Sequence, residues 1–432
     1  MTATAPMIGF AGMTHLGINS AAAAANRGFR VIGFDPDIET VAMLKTGIMP
    51  VAEPDLDDTV AAHRSELEFT ADAARLRECD VVYVSIDVPT DDTGAGDLAS
   101  INSIVARVDA AMHADAILVI LCQVPPGYTR ALPRAADLLY YQVETLIFGC
   151  ALKRALYPER FIVGCADPHR PLPVAYARFL EAFDCPILPM RYESAELAKI
   201  SINMCLVASI SAANTLAELC ERIGADWSEI VPALRLDRRI GEYSYISPGL
   251  GISGGNLERD LATVLRMADA HGTDGGVVAA WVANSKHRKA WVHKVLMEEL
   301  LAARPDATLC MLGIAYKEHT DSTKNAPALA VLDALGGAVP VRAYDPMVPP
   351  LDLGANVQRV GAALDAVDGA DAVAVMTPWP EFSGLDLAEI AGRMNGRLFI
   401  DPYRMFDPDS AAGAGLAYRA LGFSAPATAE TA

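Results

Sequence analysis

Two side chains that could hydrogen-bond a reacting group, Lys199 and Asn203, stand at i and i+4 in a stretch that is apolar on most faces over residues 193–224, so they share one face of a predicted helix. Burying an amide without a partner costs roughly 1–3 kcal/mol, and a charge costs more, which predicts that both groups face a polar cavity. The competing reading of Lys199 is a salt bridge to a neighbouring acid at a domain interface. A second constellation is Gly12-Met-Thr14-His-Leu-Gly17, with Asp35 at the end of the next β-rich run. In a dinucleotide turn the first glycine makes the bend, the second lets the backbone approach the pyrophosphate and the third lets helix pack on strand; the acid takes the ribose hydroxyls. Here the middle position is Thr14. Asp35 would repel a 2′-phosphate, so NAD is expected rather than NADP. The bland alternative is a tight strand–helix turn with Asp35 as a surface cap, and His15 reads as a solvent-facing loop residue. Asn256 precedes Leu257-Glu-Arg-Asp260-Leu, a helical run with acids in its first turn, and reads as an N-cap or a hydrogen-bonding group for a substrate.

These groups need a scaffold. Short β-rich runs at 7–11, 30–35, 81–86, 116–121 and 161–164 alternate with helical patterns, and the alternation returns at 308–314, 339–344, 372–376 and 397–401. That is the signature of parallel sheets wrapped by helices. The long helix between them, closed by Gly224 as a C-terminal cap, reads as a buried spine. The expected fold class is α/β, with two Rossmann-like doubly wound domains joined by a long central helix and a helical dimerisation region. The expected domains are 1–192, 193–299 and 300–421, with residues 422–432, rich in Ala and Thr, as a disordered tail.

With 52% hydrophobic residues in 432, the chain can bury more than one core. A net charge of -19 argues against a nucleic-acid surface, because phosphate contacts need clustered Lys and Arg. The eight cysteines form no Cys-x-x-Cys pair and lie mostly in apolar runs, which points to reduced thiols in a cytoplasmic protein and to no metal site. No run reaches about 18 uninterrupted apolar residues, so no membrane partner is expected.

Residues 248–260 read Pro-Gly-Leu-Gly-Ile-Ser-Gly-Gly-Asn-Leu-Glu-Arg-Asp and follow Asp237-Arg-Arg-Ile-Gly241. Together they resemble the active-site loop of the UDP-glucose/GDP-mannose dehydrogenase family, where Gly-Gly-x-Cys-x-x-Lys-Asp carries a nucleophilic thiol. The thiol position here is Asn256, and the flanking cysteines are as far off as Cys220 and Cys310. The resemblance runs nearly continuously over residues 7–407. It takes in Leu44-Lys-Thr-Gly-Ile-Met-Pro50 with Glu53-Pro54, Val88-Pro-Thr90, Val124-Pro-Pro-Gly127, Glu196-Leu-Ala-Lys199-Ile-Ser-Ile-Asn203, Gly313-Ile-Ala-Tyr-Lys317, Tyr344-Asp-Pro346 and Asp401-Pro-Tyr-Arg404.

The resemblance implies that Gly12, Thr14, Gly17, Asp35, Val88, Thr90 and Gln123 lie along NAD, with Gln123 standing where the family has Thr. It implies that Lys199, Asn203 and Asp260 hold a catalytic water and stabilise an alkoxide. Glu144 matches a glutamate that assists thioester hydrolysis; without a thioester it is a second base or a structural group. Arg239, Gly254, Lys317, Lys324 and Arg404 would contact the nucleotide sugar. Arg404 is displaced by one place from the family's Asp-x-Arg pattern, and Arg239 would reach across from the partner of a homodimer. Phe148 is a further departure.

The implied activity is NAD-dependent oxidation of a hydroxyl on a nucleotide sugar or related nucleotide. With Asn256 in place of the thiol, the expectation is a two-electron oxidation to a carbonyl. Four-electron oxidation by a thiol-independent route, redox epimerisation and a catalytically silent nucleotide-binding subunit remain as alternatives.

Overall fold

A computed structural model of the chain describes residues 5–87 and 98–424. Val88 and Thr90 lie outside the described residues, as does the end of the tail. The chain divides into two units, Met1–Ile202 and Asn203–Ala432.

The first unit is built on an eight-stranded sheet. Its strands are β1 (Ile8–Ala11), β2 (Val31–Phe34), β3 (Leu67–Thr70), β4 (Val81–Val84), β5 (Ile117–Ile120), β6 (Leu139–Gln142), β7 (Phe161–Cys165) and β8 (Ile187–Arg191), in the order β3-β2-β1-β4-β5-β6-β7-β8. All neighbours are parallel except β6 and β7. β1, β2, β4 and β5 are short apolar runs buried along their whole length. A parallel sheet covered by helices on both faces requires that pattern. The Ala-rich helix His15–Asn26 packs on this sheet with Ala21 to Ala25 almost wholly buried. Its small side chains let the helix axis approach closely.

The second unit carries a six-stranded, fully parallel sheet of β9 (Leu309–Leu312), β10 (Val341–Tyr344), β11 (Val357–Arg359), β12 (Ala372–Val375), β13 (Leu398–Ile400) and β14 (Ala417–Arg419), ordered β11-β10-β9-β12-β13-β14. Helices Trp227–Leu236, Asn256–His271 and Gly276–Lys289 precede the sheet. The tail is folded further than expected. Gly422 accepts a hydrogen bond from Trp227 N–H, its own N–H donates to Glu221, and Phe423 bridges to Asp226.

Both sheets repeat one device. After β1, Gly12 adopts φ +99°, its N–H donates to Phe34 O, and Met13 N–H donates to the Asp35 carboxylate at 2.8 Å. After β9, Gly313 adopts φ +96°, its N–H donates to Tyr344 O, and Ile314 N–H donates to the Asp345 carboxylate at 2.7 Å.

The division between units falls inside one 32-residue helix, Tyr192–Ile223. Among the described residues this is the one helix long and apolar enough to cross a membrane by length and composition. Its polar groups are claimed within the protein: Glu196 by the N–H groups of Gly127 and Thr129, and Asn214 by Gly249 N–H.

Candidate functional site

The first unit supplies a dinucleotide turn. A Cβ on Gly12 would sit 2.1 Å from Ile86 Cγ2, and one on Gly17 would sit 1.8 Å from Gly12 O, so both positions require glycine. The helix begins at His15, with Thr14 at the N-cap making no side-chain cap bond. Instead the Thr14 hydroxyl accepts from Asp87 N–H at 2.9 Å and tethers the end of β4 to the turn. Asp35, half-buried at the end of β2, accepts from Met13 N–H and Asp37 N–H. A tight turn, a helix N-terminus at which Leu16 N–H meets Asp87 Oδ2 only at 3.4 Å, and an acid at the next strand end fit the phosphates and ribose of NAD. Gln123 stands just beyond β5, after Leu121 and Cys122, and is half-buried.

The loops after β5 and β6 bring the next groups in. Glu196 is completely buried and accepts from Gly127 N–H at 2.6 Å and Thr129 N–H at 2.8 Å, pinning the turn beyond Gln123 to the long helix. Burial pushes its carboxyl above the usual range even against these donors. One turn further along the helix, Lys199 Nζ lies 2.7 Å from Glu144 Oε1 and donates to Glu144 O at 3.1 Å. Lys199 therefore has an acidic partner, and that partner is itself an expected site residue.

His15 departs from expectation. It is the first residue of the helix and is buried, with Nε2 2.7 Å from Glu53 Oε1 and its ring stacked on Phe148 at 3.9 Å. A solvent-facing loop position was expected because an isolated histidine in a turn carries no pattern that reveals a distant carboxylate.

In the second unit Asn203 donates through Nδ2 to Asp260 Oδ2 at 2.5 Å, and Asp260 is 1% exposed. Arg259 Nε stands 3.6 Å from Asp260 Oδ1. Asn256 is the first residue of helix Asn256–His271, but Gly255 occupies the N-cap and no side chain caps the helix. The expected capping role of Asn256 is thus not observed, because the helix starts one residue earlier in register than the acids suggested. The preceding loop is held from several sides: Ile252 N–H donates to Ser285 Oγ, Gly254 N–H to Lys324 O, and Asn325 Nδ2 to Gly254 O. Gly254 lies against the Tyr316 ring and Gly255 against the Lys324 stem. Gly254, Asn256 and Lys324 are thereby brought together, with Asp260 one turn along the same helix. Lys317 Nζ lies 6.0 Å from the Tyr316 ring centroid.

Two expected substrate cations are otherwise engaged. Arg404, at φ +53°, pairs with Asp226 at 2.5 Å and Ser228 Oγ at 2.8 Å. The preceding Tyr403, which fills the place the resemblance gives to Arg, donates to Met376 O. Arg239 pairs with Asp237 of its own turn at 2.6 Å in the open, its side chain 89% exposed. Among the described residues no group of His, Cys, Asp and Glu could hold a metal. The structure adds Asp87 and Glu53 to the neighbourhood of the turn; Glu53 belongs to the Glu53-Pro54 motif, whereas nothing in the sequence marks Asp87.

Three descriptions of the UDP-glucose/GDP-mannose dehydrogenase family match the chain: its NAD binding domain at residues 7–176, its central domain at 193–286 and its UDP binding domain at 310–408. The UDP-glucose 6-dehydrogenase TuaD of Bacillus subtilis is 27% identical over 428 residues, covering 95% of this chain and 92% of that protein. A UDP-glucose 6-dehydrogenase of Pseudomonas aeruginosa is 29% identical over 437 residues, covering 95% and 96%. A UDP-glucose dehydrogenase structure from Pyrobaculum islandicum has the same fold, with a TM-score of 0.85 at 24% identity over 98% of this chain and 99% of that one.

Proposed function

Because this chain belongs to the UDP-glucose/GDP-mannose dehydrogenase family, we propose that it oxidises one hydroxyl group of a nucleotide sugar with NAD and stops after a single two-electron step, at the carbonyl. NAD-dependent oxidation of nucleotide sugars is the family's activity; the early stop is the part this chain's own residues add. The observation that carries it is Asn256 at the start of helix Asn256–His271, where the resembling loop has a thiol. An amide there cannot capture an aldehyde as a covalent adduct. No cysteine of the same unit stands in for it. Cys220 and Cys310 are buried, and burial raises both thiol pKa values. Cys205 is exposed but lies about 200° round the helix from buried Asn203.

Gly12, Thr14, Gly17 and Asp35 are the residues that would hold NAD, which when bound supplies the hydride acceptor. The remaining work falls to side chains. Lys199, held by the carboxylate and carbonyl of Glu144, donates to the substrate oxygen and stabilises its developing negative charge. Asp260, oriented by the amide of Asn203, takes the hydroxyl proton through a water. Lys324 beside Gly255, and Lys317, offer charge to the diphosphate of the nucleotide.

Incubating the full chain with NAD and a panel of UDP and GDP sugars tests the reading through NADH absorbance and product mass. One NADH per substrate and a product two hydrogens lighter that reacts with a carbonyl probe would support it. Two NADH with a carboxylate product, or an epimer with no net NADH, would overturn it.

The same reading takes the chain as a homodimer. Leu216, Leu219 and Ile223 form an exposed apolar stripe at i, i+3 and i+7 on the long helix, and Leu236 is exposed beyond it. Sedimentation at twice the chain mass would support this; a monomer would contradict it.

A further inference from the structure

The Glu53 carboxylate is a buried charge that the proposed chemistry does not use. It lies in the segment between helices Ile38–Thr46 and Leu56–Ala62, and its side chain has no exposed area. Three donors meet it. His15 Nε2–H and Gly149 N–H donate to Oε1 at 2.7 and 2.8 Å, and Ala151 N–H donates to Oε2 at 3.2 Å. His15 opens the helix of the dinucleotide turn. Gly149 and Ala151 end the loop that starts at Glu144, and Phe148 of that loop stacks on the His15 ring at 22° between planes. One carboxylate therefore joins the segment that would receive the phosphates of NAD to the segment that carries the Lys199 partner.

A buried ionised group needs this full set of donors, because desolvation is otherwise prohibitive. An apolar plug of the same volume would hold the loop at least as stably, whereas only directed hydrogen bonds specify where the loop stands relative to the turn.

We propose that Glu53 is a positioning residue: through His15, Gly149 and Ala151 it couples occupation of the dinucleotide turn to the placement of the Glu144 loop. The consequence for turnover rests on the function proposed above, while the coupling does not. Filling the turn fixes His15, His15 fixes the carboxylate, and the carboxylate fixes Gly149 and Ala151. Small displacements of a reacting group by such a shift are costly, of the order of 100-fold in rate per ångström.

Hydrogen exchange of the full chain, read by mass spectrometry on the peptide spanning residues 144–151, tests the coupling. NAD should slow exchange there by about fivefold or more in the unaltered chain. In Glu53→Gln that slowing should vanish while NAD affinity stays within about threefold. No NAD-dependent slowing in the unaltered chain, or full slowing in Glu53→Gln, would overturn the proposal. Glu53→Asp serves if Glu53→Gln does not fold, and should show reduced slowing; full slowing would count against the proposal. In turnover, Glu53→Gln should lose about 10- to 100-fold in kcat with an unchanged KM for the nucleotide sugar. His15→Gln, which keeps a donor to Glu53, should regain most of the rate lost in His15→Leu; an equal loss in the two would also overturn it. If the exchange coupling holds and no nucleotide sugar yields NADH, the proposed function fails and the coupling stands.

Discussion

Lys199 Nζ is held by both the side chain and the backbone of Glu144, at 2.7 Å from Oε1 and 3.1 Å from the carbonyl oxygen. A pair this sheltered, 12% and 17% exposed at the side chain, places an ammonium without leaving it free to wander. The ion pair expected as an alternative to catalysis is thus present, but it joins two residues that the resemblance assigns to the site.

Replacing Lys199 with Ala should lower kcat by roughly 100-fold or more, the scale of a lost charge-stabilising donor, with nucleotide-sugar affinity changed by less than about threefold. Steady-state rates and calorimetric affinities on the same preparation decide this. Parallel losses in rate and binding would assign the pair to structure alone.

Asp35 has two backbone donors and remains half-buried, which leaves lone pairs for ribose hydroxyls. NAD should bind much more tightly than NADP, and Asp35→Ala should narrow the gap by about tenfold, the effect of removing one nearby like charge. Titrations of both cofactors against both proteins measure it; equal affinities in the unaltered chain would refute the assignment.

Asn256→Cys should not create a four-electron enzyme by itself, since Phe148 and Gln123 also depart from the resembling pattern. Product analysis should still find one NADH per substrate and no acyl adduct on the protein. A carboxylate product from this single substitution would show that the thiol alone was missing.

Asp345 contributes a pH dependence to stability. Burial would raise its carboxyl, but the N–H groups of Ala315, Ile314, Val348 and Met347 outweigh burial and hold it below the usual value. A lowered acid stabilises the fold above the unfolded pKa of about 3.9 and loses that contribution as pH falls through the folded value. Asp345→Asn should therefore cost about 1–3 kcal/mol near neutrality, with the deficit shrinking below about pH 4. Denaturant titrations at several pH values read this directly, and a deficit that grows on acidification would reverse the sign.

Much of this architecture was legible because its signals are local. β1, β2, β4 and β5 are apolar runs buried end to end, and that character alone exposes them. β3 is hidden in the sequence because exposed Glu68 interrupts it, and β8 because Pro189 and its largely exposed face resemble a loop. β6 ends on Gln142, which reads as polar punctuation but is buried under the hydroxyls of Tyr83 and Tyr176. Lys199 and Asn203 could be paired by helical spacing. Their acids could not, since Glu144 and Asp260 are distant in sequence and only the family resemblance pointed to them. His15 and Glu53 each sit in a motif, but no spacing links the two motifs and so nothing announces their contact.

The repeated glycine–aspartate device has a consequence in stoichiometry. Asp345 receives five donors, four backbone N–H groups and Trp379 Nε1 at 3.1 Å, against two for Asp35. A carboxylate offers about four lone-pair sites, so the second copy is saturated. Nor does a helix open at once behind Gly313, since the next one starts only at Pro327. Only the first device thus keeps a carboxylate with lone pairs to spare, and each chain should titrate one equivalent of dinucleotide, never two.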